Sequence, residues 1–317
     1  MANPGVSELL SGTLYNRTGK YADNVTKNNA ILSRMKERGS LQMADGGVSI
    51  YQEMEYAENS TYTRYSGYQV LNIQPSDVFT AADFPWRQAA VAVTISGLEG
   101  DIQNAGEERV INLMTSRIKN AEKTMSNNIA SDMYSSGAAT NQIGGLQYLI
   151  ADTPTNTVGG IDRNSTAGAF FKNYVNTGGT PSATTIQGLM LATYLNTSRQ
   201  NDHPDLWLAD NTYYTYYVNS LVNIQRITND KMAQAGFVNV KYMNSDVVFD
   251  GGKGGACPAN HMYAMNSDYL KFRPHPARNF VPLDTVRSIN QDATVKLIVF
   301  AGNMTMSNGS LQGLIIA

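Results

Sequence analysis

The chain has 317 residues, a single cysteine and a formal net charge of −2, and charged residues make up 16% of it, against about 25% in an ordinary globular domain. That length supplies one large core or two ordinary ones without a disulfide framework or a structural metal, and the lone Cys257 excludes an intrachain bridge. The longest apolar runs, such as Val295–Ala301 and Val91–Ile95, fall well short of the ~18 residues a membrane span needs, and no basic cluster with interleaved aromatics marks a sequence-reading nucleic-acid binder.

Depleted charge together with 18 tyrosines is the composition of an interface-rich surface. With no signal-type N-terminus and one cysteine, the chain is expected to be made and kept in a reducing cytosol, soluble until it assembles. Charge is also segregated along the sequence. Residues 1–40 carry six basic and three acidic side chains, whereas residues 45–108 carry ten acidic and two basic. Unlike stretches of neighbouring copies would attract, and like stretches repel.

Residues 1–45 have the character of an arm, rich in asparagine and poor in large apolar groups, with a weakly helical piece from Asn28 to Arg38. The next stretch, Gly46 to Tyr56, is strand-patterned. Alternation sets Ile50, Met54 and Tyr56 on one face and Tyr51, Glu53 and Glu55 on the other. The chain is expected to return through Trp86–Ser96. Between lie about thirty residues rich in Tyr, Ser, Thr and Asn, too many for an ordinary connection and too polar to pack on themselves.

A long amphipathic helix follows the break at Gly97–Asp101. Apolar side chains recur at Ile102, Val110, Leu113, Met114, Ile118, Ala121, Met125, Ile129 and Met133, one stripe at helical spacing. Asp101 is suited to the N-cap and Gly137 to the left-handed stop. At about 1.5 Å per residue the rod spans roughly 54 Å. Beyond it the pattern is compact and mixed: a helix over 183–199, a strand at Leu206–Ala209, and a helix capped by Asp210 or Asn211 running through Leu221 and Ile224 toward Ile227. Strands are expected at 238–243, 247–249, 261–265, 269–273 and 294–302.

Catalytic and metal patterns are absent. His203, His261 and His275 show no metal-ligand spacing. Gly251-Gly252-Lys253-Gly254-Gly255 is followed by Ala256-Cys257-Pro258, not by the Ser or Thr and the helix that a phosphate loop requires, so it is expected to be a flexible hairpin tip. No G-x-S-x-G elbow occurs. The chain is expected not to be an enzyme and to bind neither metal nor cofactor.

The order of parts, from arm through extended excursion, long helix and compact mixed region to a strand-rich close, resembles the major capsid proteins of tailed phages, with their Hong Kong 97-type fold. Particular stretches are similar as well: Phe84–Gln88 through Thr94–Gly97, Thr157–Arg163, Asp246–Asp250, Met265–Leu270 and Phe300–Met304. The resemblance implies an α+β fold divided into an N-terminal arm (1–45), an extended β-hairpin loop (46–97), the spine helix of a peripheral domain (98–137), an axial domain (138–262) and closing peripheral strands (263–317). It implies a subunit that self-assembles into the hexamers and pentamers of an icosahedral head around double-stranded DNA, contacted without sequence preference. The implied location is the virion, after assembly in the host bacterial cytoplasm. Implied partners are a scaffold, a portal and a cement protein, with no membrane.

Some family members link subunits through a lysine in the extended loop. None lies between Lys36 and Lys119 here, so cohesion is expected to be non-covalent. In the family the loop overlies the next subunit's peripheral region, so Glu53, Glu55 and Glu58 are expected to face Lys271, Arg273 or Arg278 across that contact. An encapsulin-like compartment shell shares the fold and is the alternative. A hydrolase or carbohydrate-binding protein with a cleft in 140–262 is the alternative from another class.

Overall fold

The computed structural model describes residues 30–99, 107–221, 239–252, 255–287 and 290–316. Outside them lie most of the arm, the Asp101 cap, Ile102, the continuation of the second capped helix through Ile224 and Ile227, and Lys253. In the long helix the side chains of 107–114, Leu113 among them, are also outside the description.

The chain enters through helix α1 (Ala30–Glu37), which buries Ile31 and Met35. Strand β1 (Ser49–Glu55) then pairs antiparallel with β2 (Phe79–Pro85), from Ser49↔Pro85 to Glu55↔Phe79. This corrects the expected course of the excursion: its returning strand is Phe79–Pro85, whereas Trp86–Ser96 belongs to another sheet. Proline has no amide hydrogen and ends a ladder, so the chain breaks at Pro85-Trp86 and restarts as β3 (Arg87–Ser96). The pattern of β3 is strictly alternating, and its partner is not β1 but β13 (Ala293–Met306), in register from Arg87↔Gly302 to Ser96↔Ala293.

Strand β13 is the middle of a four-stranded antiparallel sheet whose other members are β11 (Leu270–Pro282) and β12 (Val286–Arg287). Both long strands outrun their expected ends at Arg273 and Gly302. Register shifts between Pro274 and Val281 let β11 bend and continue, and an alternation count stops at such a shift. Helix α2 (Glu107–Asp132) packs against β3. Its described 26 residues make a rod of about 39 Å, ending before Gly137, which does adopt a left-handed φ of 68°. Ala121, Met125, Ile129 and Met133 are buried, as the stripe requires.

After the short helix α3 (Leu146–Leu149) come a two-residue ribbon, β4 (Thr157–Val158) with β5 (Ile161–Asp162), and β6 (Tyr174–Asn176). Helix α4 (Ile186–Asn196), β7 (Leu206–Ala209), helix α5 (Asn211–Ser220), β8 (Asn239–Tyr242), β9 (Ser245–Phe249), β10 (His261–Met265) and β14 (Gly313–Ile316) complete the chain. Asp210 caps α5 by accepting from the Tyr213 amide at 2.9 Å. A six-stranded mixed sheet runs β6-β14-β10-β7-β9-β8. Its two outermost members in chain order, β6 and β14, are three and four residues long, too short for periodicity to reveal. The glycine run after β9 is not a hairpin tip, because β9 and β10 do not pair: β7 lies between them.

Among the described residues two apolar clusters form the interior. The larger joins Met35, Ile50, Phe84, Met125, Ile129, Leu270 and Phe300. The smaller lies between α4, α5 and the six-stranded sheet, around Ile186, Met190, Trp207, Tyr213, Tyr217 and Ile315. Polar groups inside the molecule are tightly partnered. Arg163 is fully buried with no carboxylate at ion-pair distance among the described residues. Its guanidinium donates to the carbonyls of Leu149 (2.8 Å), Tyr148 (3.3 Å) and Asn156 (3.3 Å) and to the side-chain oxygens of Asn173 (3.2 Å) and Asn156. Burial lowers its pKa to about 10. Arg34 of α1 sits 3.3 Å from both Asp205 and Asp246, and Asp205 also accepts from the Ser267 amide and hydroxyl at 2.8 and 2.6 Å. The first helix is thus fastened to the start of β7 and to β9 by buried charge.

Candidate assembly surface

The β1–β2 hairpin is held firmly at its base. Ile50, Met54, Ala82 and Phe84 turn inward and are buried. The Asp83 amide donates to the Gly159 carbonyl at 2.9 Å, and the Trp86 indole donates to the Gly47 carbonyl at 3.0 Å. Gly159 has a φ of 57°, and a Cβ there would lie 2.6 Å from that of Ala82, so only glycine lets the β4–β5 turn approach the hairpin this closely. Arg273 of β11 reaches across to the same hairpin, donating to the Tyr51 carbonyl at 3.3 Å and to Gln52 Oε1 at 2.8 Å. Partial burial lowers its pKa.

Beyond this base the chain from 57 to 78 has almost no interior. Tyr62, Tyr65, Tyr68, Val70 and Ile73 are each at least 65% exposed, and the hydrogen bonds of the segment are local, such as Ser60 with Ser76 at 3.2 Å and Thr61 with Asn59 at 2.9 Å. Apolar side chains held out on a polar strip are available to a second surface.

Glu53 and Glu55 point outward beside Tyr51, and Glu58 follows at the start of the exposed segment; all three are exposed. Among the described residues none of them ion-pairs with Lys271, Arg273 or Arg278 of its own chain. Lys271 is half-buried and Arg278 exposed. Arg273 differs from the other two cations because the hairpin of its own chain already holds it. Periodicity found the outward carboxylates, but the Arg273 contact spans more than two hundred residues and has no local signal.

Cys257 donates to the backbone carbonyl of His261 at 3.8 Å, not to its ring, and burial pushes the thiol far above its ordinary range, which disfavours the nucleophilic thiolate. Asp250, accepting from the Tyr134 hydroxyl, is raised by burial. A cleft of about 300 Å³ lies between Arg87, Asp132, Gln142 and Phe300. Among the described residues no group of three or more His, Cys, Asp or Glu side chains is placed to hold a metal, and no helix is long and apolar enough to cross a membrane.

An arm-side helix, a projecting hairpin, a long helix laid on a four-stranded sheet, and a separate six-stranded sheet carrying two helices are together the Hong Kong 97-type fold of phage capsids. The chain is similar over 96% of its length, and 96% of the other chain, to the capsid protein of cyanophage A-1(L), at a TM-score of 0.66 and 16% identity. The capsid of Myoviridae phage XM1 is matched at 0.54 and 10%, again over 96% of both chains. The encapsulin in the holo-SrpI complex of Synechococcus elongatus PCC 7942 is matched at 0.52 and 9%, over 100% of this chain and 96% of that one. No family model and no curated protein matches the sequence.

Proposed function

We propose that this chain is a major capsid protein, the shell subunit of a tailed-phage head, whose copies assemble into pentamers and hexamers and close around double-stranded DNA. The observation that carries the reading is the exposed excursion at 57–78. It is anchored at its base and displays exposed aromatic and aliphatic side chains along nearly all of its length. Shared fold with phage capsids over nearly the whole length supports the same reading. The β1–β2 hairpin and the excursion between its strands act as the extended loop, α2 as the spine lying on the four-stranded peripheral sheet that β3 shares with β11, β12 and β13, and the six-stranded sheet with α4 and α5, completed by β14, as the axial domain. The role is structural, not catalytic. Each copy buries obligate-type interfaces of about 2,000 Å² or more, and modest net contacts, after association costs, accumulate over a closed shell. A scaffold and a portal are expected partners.

The full-length match to an encapsulin supports a second reading, a cellular compartment shell with protein cargo. Electron microscopy of the purified protein tests both. Closed shells or capsomers are expected, and a monodisperse monomer at assembly concentrations would overturn both readings. Particles from the native source that hold DNA support the head shell, whereas enclosed protein supports the compartment.

A further inference from the structure

We propose that Gln312 is a positioning residue for assembly: its side-chain amide, paired with the main chain of Asn266, fixes the angle between the two large sheets and so the size of the shell that copies build. The proposal rests on the shell-subunit reading above. Two strand-to-strand crossings run directly from one sheet to the other, residues 266–269 from β10 to β11 and residues 307–312 from β13 to β14. Residues 40–44 run beside the first of them: the Phe272 amide donates to the Ser40 carbonyl at 3.0 Å, and the Ser40 hydroxyl donates to the Ser267 carbonyl at 2.7 Å. Short connectors passing side by side between two packed layers are where a hinge would form.

Here the crossings are clamped together. The Asn266 amide donates to Gln312 Oε1 at 3.0 Å, and Gln312 Nε2 donates back to the Asn266 carbonyl at 3.1 Å. Regular pairing of β10 with β14 ends at Ala264↔Gly313, so beyond it a side-chain amide takes the place of a peptide group in the ladder. Gln312 is fully buried, and Asn266 and Ser267 nearly so. The Ser307 amide adds a bond to the Tyr269 carbonyl at 3.0 Å, and Asp205, just before β7, holds the Ser267 amide and hydroxyl. Hydrogen bonds are directional, whereas apolar burial is not. A buried amide adds only modestly to stability once its desolvation is counted; what this pair adds is a defined angle.

Lever length makes that angle matter. Helix α2 packs on β3 and the β1–β2 hairpin on β13, so both travel with the four-stranded sheet. A tilt of about 5° at the crossings carries the end of an arm as long as α2, about 39 Å, through roughly 3 Å. Apolar contacts hold only within about 4.5 Å. A tilt that small therefore moves the exposed 57–78 segment out of one set of contacts with a neighbour and into another, and a small change repeated at every copy decides where an assembly closes.

Gln312→Met keeps the length of the side chain and removes both bonds. Electron microscopy of its assembled particles is expected to show a shift from the wild-type diameter to a second size or to a spread of sizes. Leu311→Ala, at a buried neighbour with nothing to donate or accept, is expected to lower the melting temperature and leave the diameter unchanged. Wild-type diameters from Gln312→Met would overturn the proposal, and so would an equal spread from Leu311→Ala, because size would then follow stability alone. Where Gln312→Met yields no soluble chain, Gln312→Asn, which keeps the amide but sets it one methylene short, is read in the same way; loss of folding in both variants assigns Gln312 to stability and overturns the positioning role. If the wild-type protein forms no shells, the shell-subunit reading itself fails, whereas wild-type shells with an unmoved Gln312→Met diameter remove this inference alone.

Discussion

Arg163 brings a full charge into the interior and meets only carbonyl and amide oxygens, five of them, on three separate chain segments. Removing it takes a donor from each; Tyr148 O and Asn173 Oδ1 keep partners in Asn156 Nδ2 and the Ala151 amide, both at 3.1 Å, so the cost falls on the Leu149 and Asn156 oxygens, at about 1–3 kcal/mol for each buried group that water does not reach. Arg163→Met is therefore expected to lower stability by about 3 kcal/mol or more, read by urea unfolding of the unassembled chain. Arg163→Lys, which keeps the charge but not the planar fork, is expected to recover only part. In the sequence this residue is one more basic group after a turn, next to Asp162, and nothing local indicates that its partners are the oxygens of Tyr148, Leu149, Asn156 and Asn173. Asp250 makes the opposite case. Burial raises its pKa above 3.8, so between 3.8 and the folded value the native state holds a proton the unfolded chain has released, and stability falls as pH rises through that window. Asp250→Asn keeps an acceptor for the Tyr134 hydroxyl and removes the charge. Its melting temperature relative to wild type is expected to be higher at pH 7 than at pH 4; a difference that is flat or reversed with pH would contradict the assignment.

Among the elements, those with a long uninterrupted period were the legible ones. Ile50 and Met54 against Tyr51, Glu53 and Glu55 fixed the inward face of β1, and the Ala121, Met125, Ile129 and Met133 stripe fixed that of α2, because each side chain meets the core at every repeat. Phe79–Pro85 carries no strand signal of its own, since its buried members, Ala82 and Phe84, are too few to establish a period and Phe79 faces solvent. The candidate assembly surface was legible on its exposed side only. The outward glutamates follow from alternation, whereas Arg273 bound to Gln52 depends on the finished tertiary fold. Met125→Asp places an unpaired charge on the buried face of α2 and is expected to cost on the order of 3 kcal/mol or more, enough to abolish a cooperative unfolding transition. Residues 57–78, with few interior contacts, are expected to exchange amide hydrogens rapidly in the free subunit and to be protected in the shell; equal protection in both would remove the excursion from the assembly surface.

For the whole molecule, the charge segregation leads to a specific contact. Glu53 and Glu55 are exposed and unpaired with the three candidate cations of their own chain, so we propose that they meet Lys271 or Arg278 of the next subunit. Arg273, occupied by its own hairpin, is the weakest of the three candidates, and Arg273→Glu is expected to disturb the isolated fold. Glu53→Lys with Glu55→Lys is expected to leave the monomer's stability within about 0.5 kcal/mol and to impair assembly most at low salt, where repulsion is unscreened. Adding Arg278→Glu with Lys271→Glu is expected to restore part of it. Sedimentation at two ionic strengths reads the result, and normal shells at both would dismiss the contact. Boiling assembled particles in detergent and reductant is expected to release single 34.6 kDa chains, since no lysine occupies the excursion.

The pairing of β3 with β13 has a mechanical consequence. Its ten registered residue pairs run from Arg87↔Gly302 to Ser96↔Ala293, and their hydrogen bonds lie across the strand direction. Tension applied along such strands strains all the bonds of the ladder together, whereas tension applied across them opens one after another. At the same end of the sheet, β13 continues through a short turn into β14 of the six-stranded sheet, and the chain enters β3 directly from the projecting hairpin. Pulling between hairpin and β14 therefore loads the two strands at the same end and opens the ladder one bond after another. Single-molecule extension from those two points would give a low rupture force, whereas extension between the hairpin and the Ala293 end of β13 draws the strands past each other and would give a high one, so the same sheet resists shear and yields when peeled.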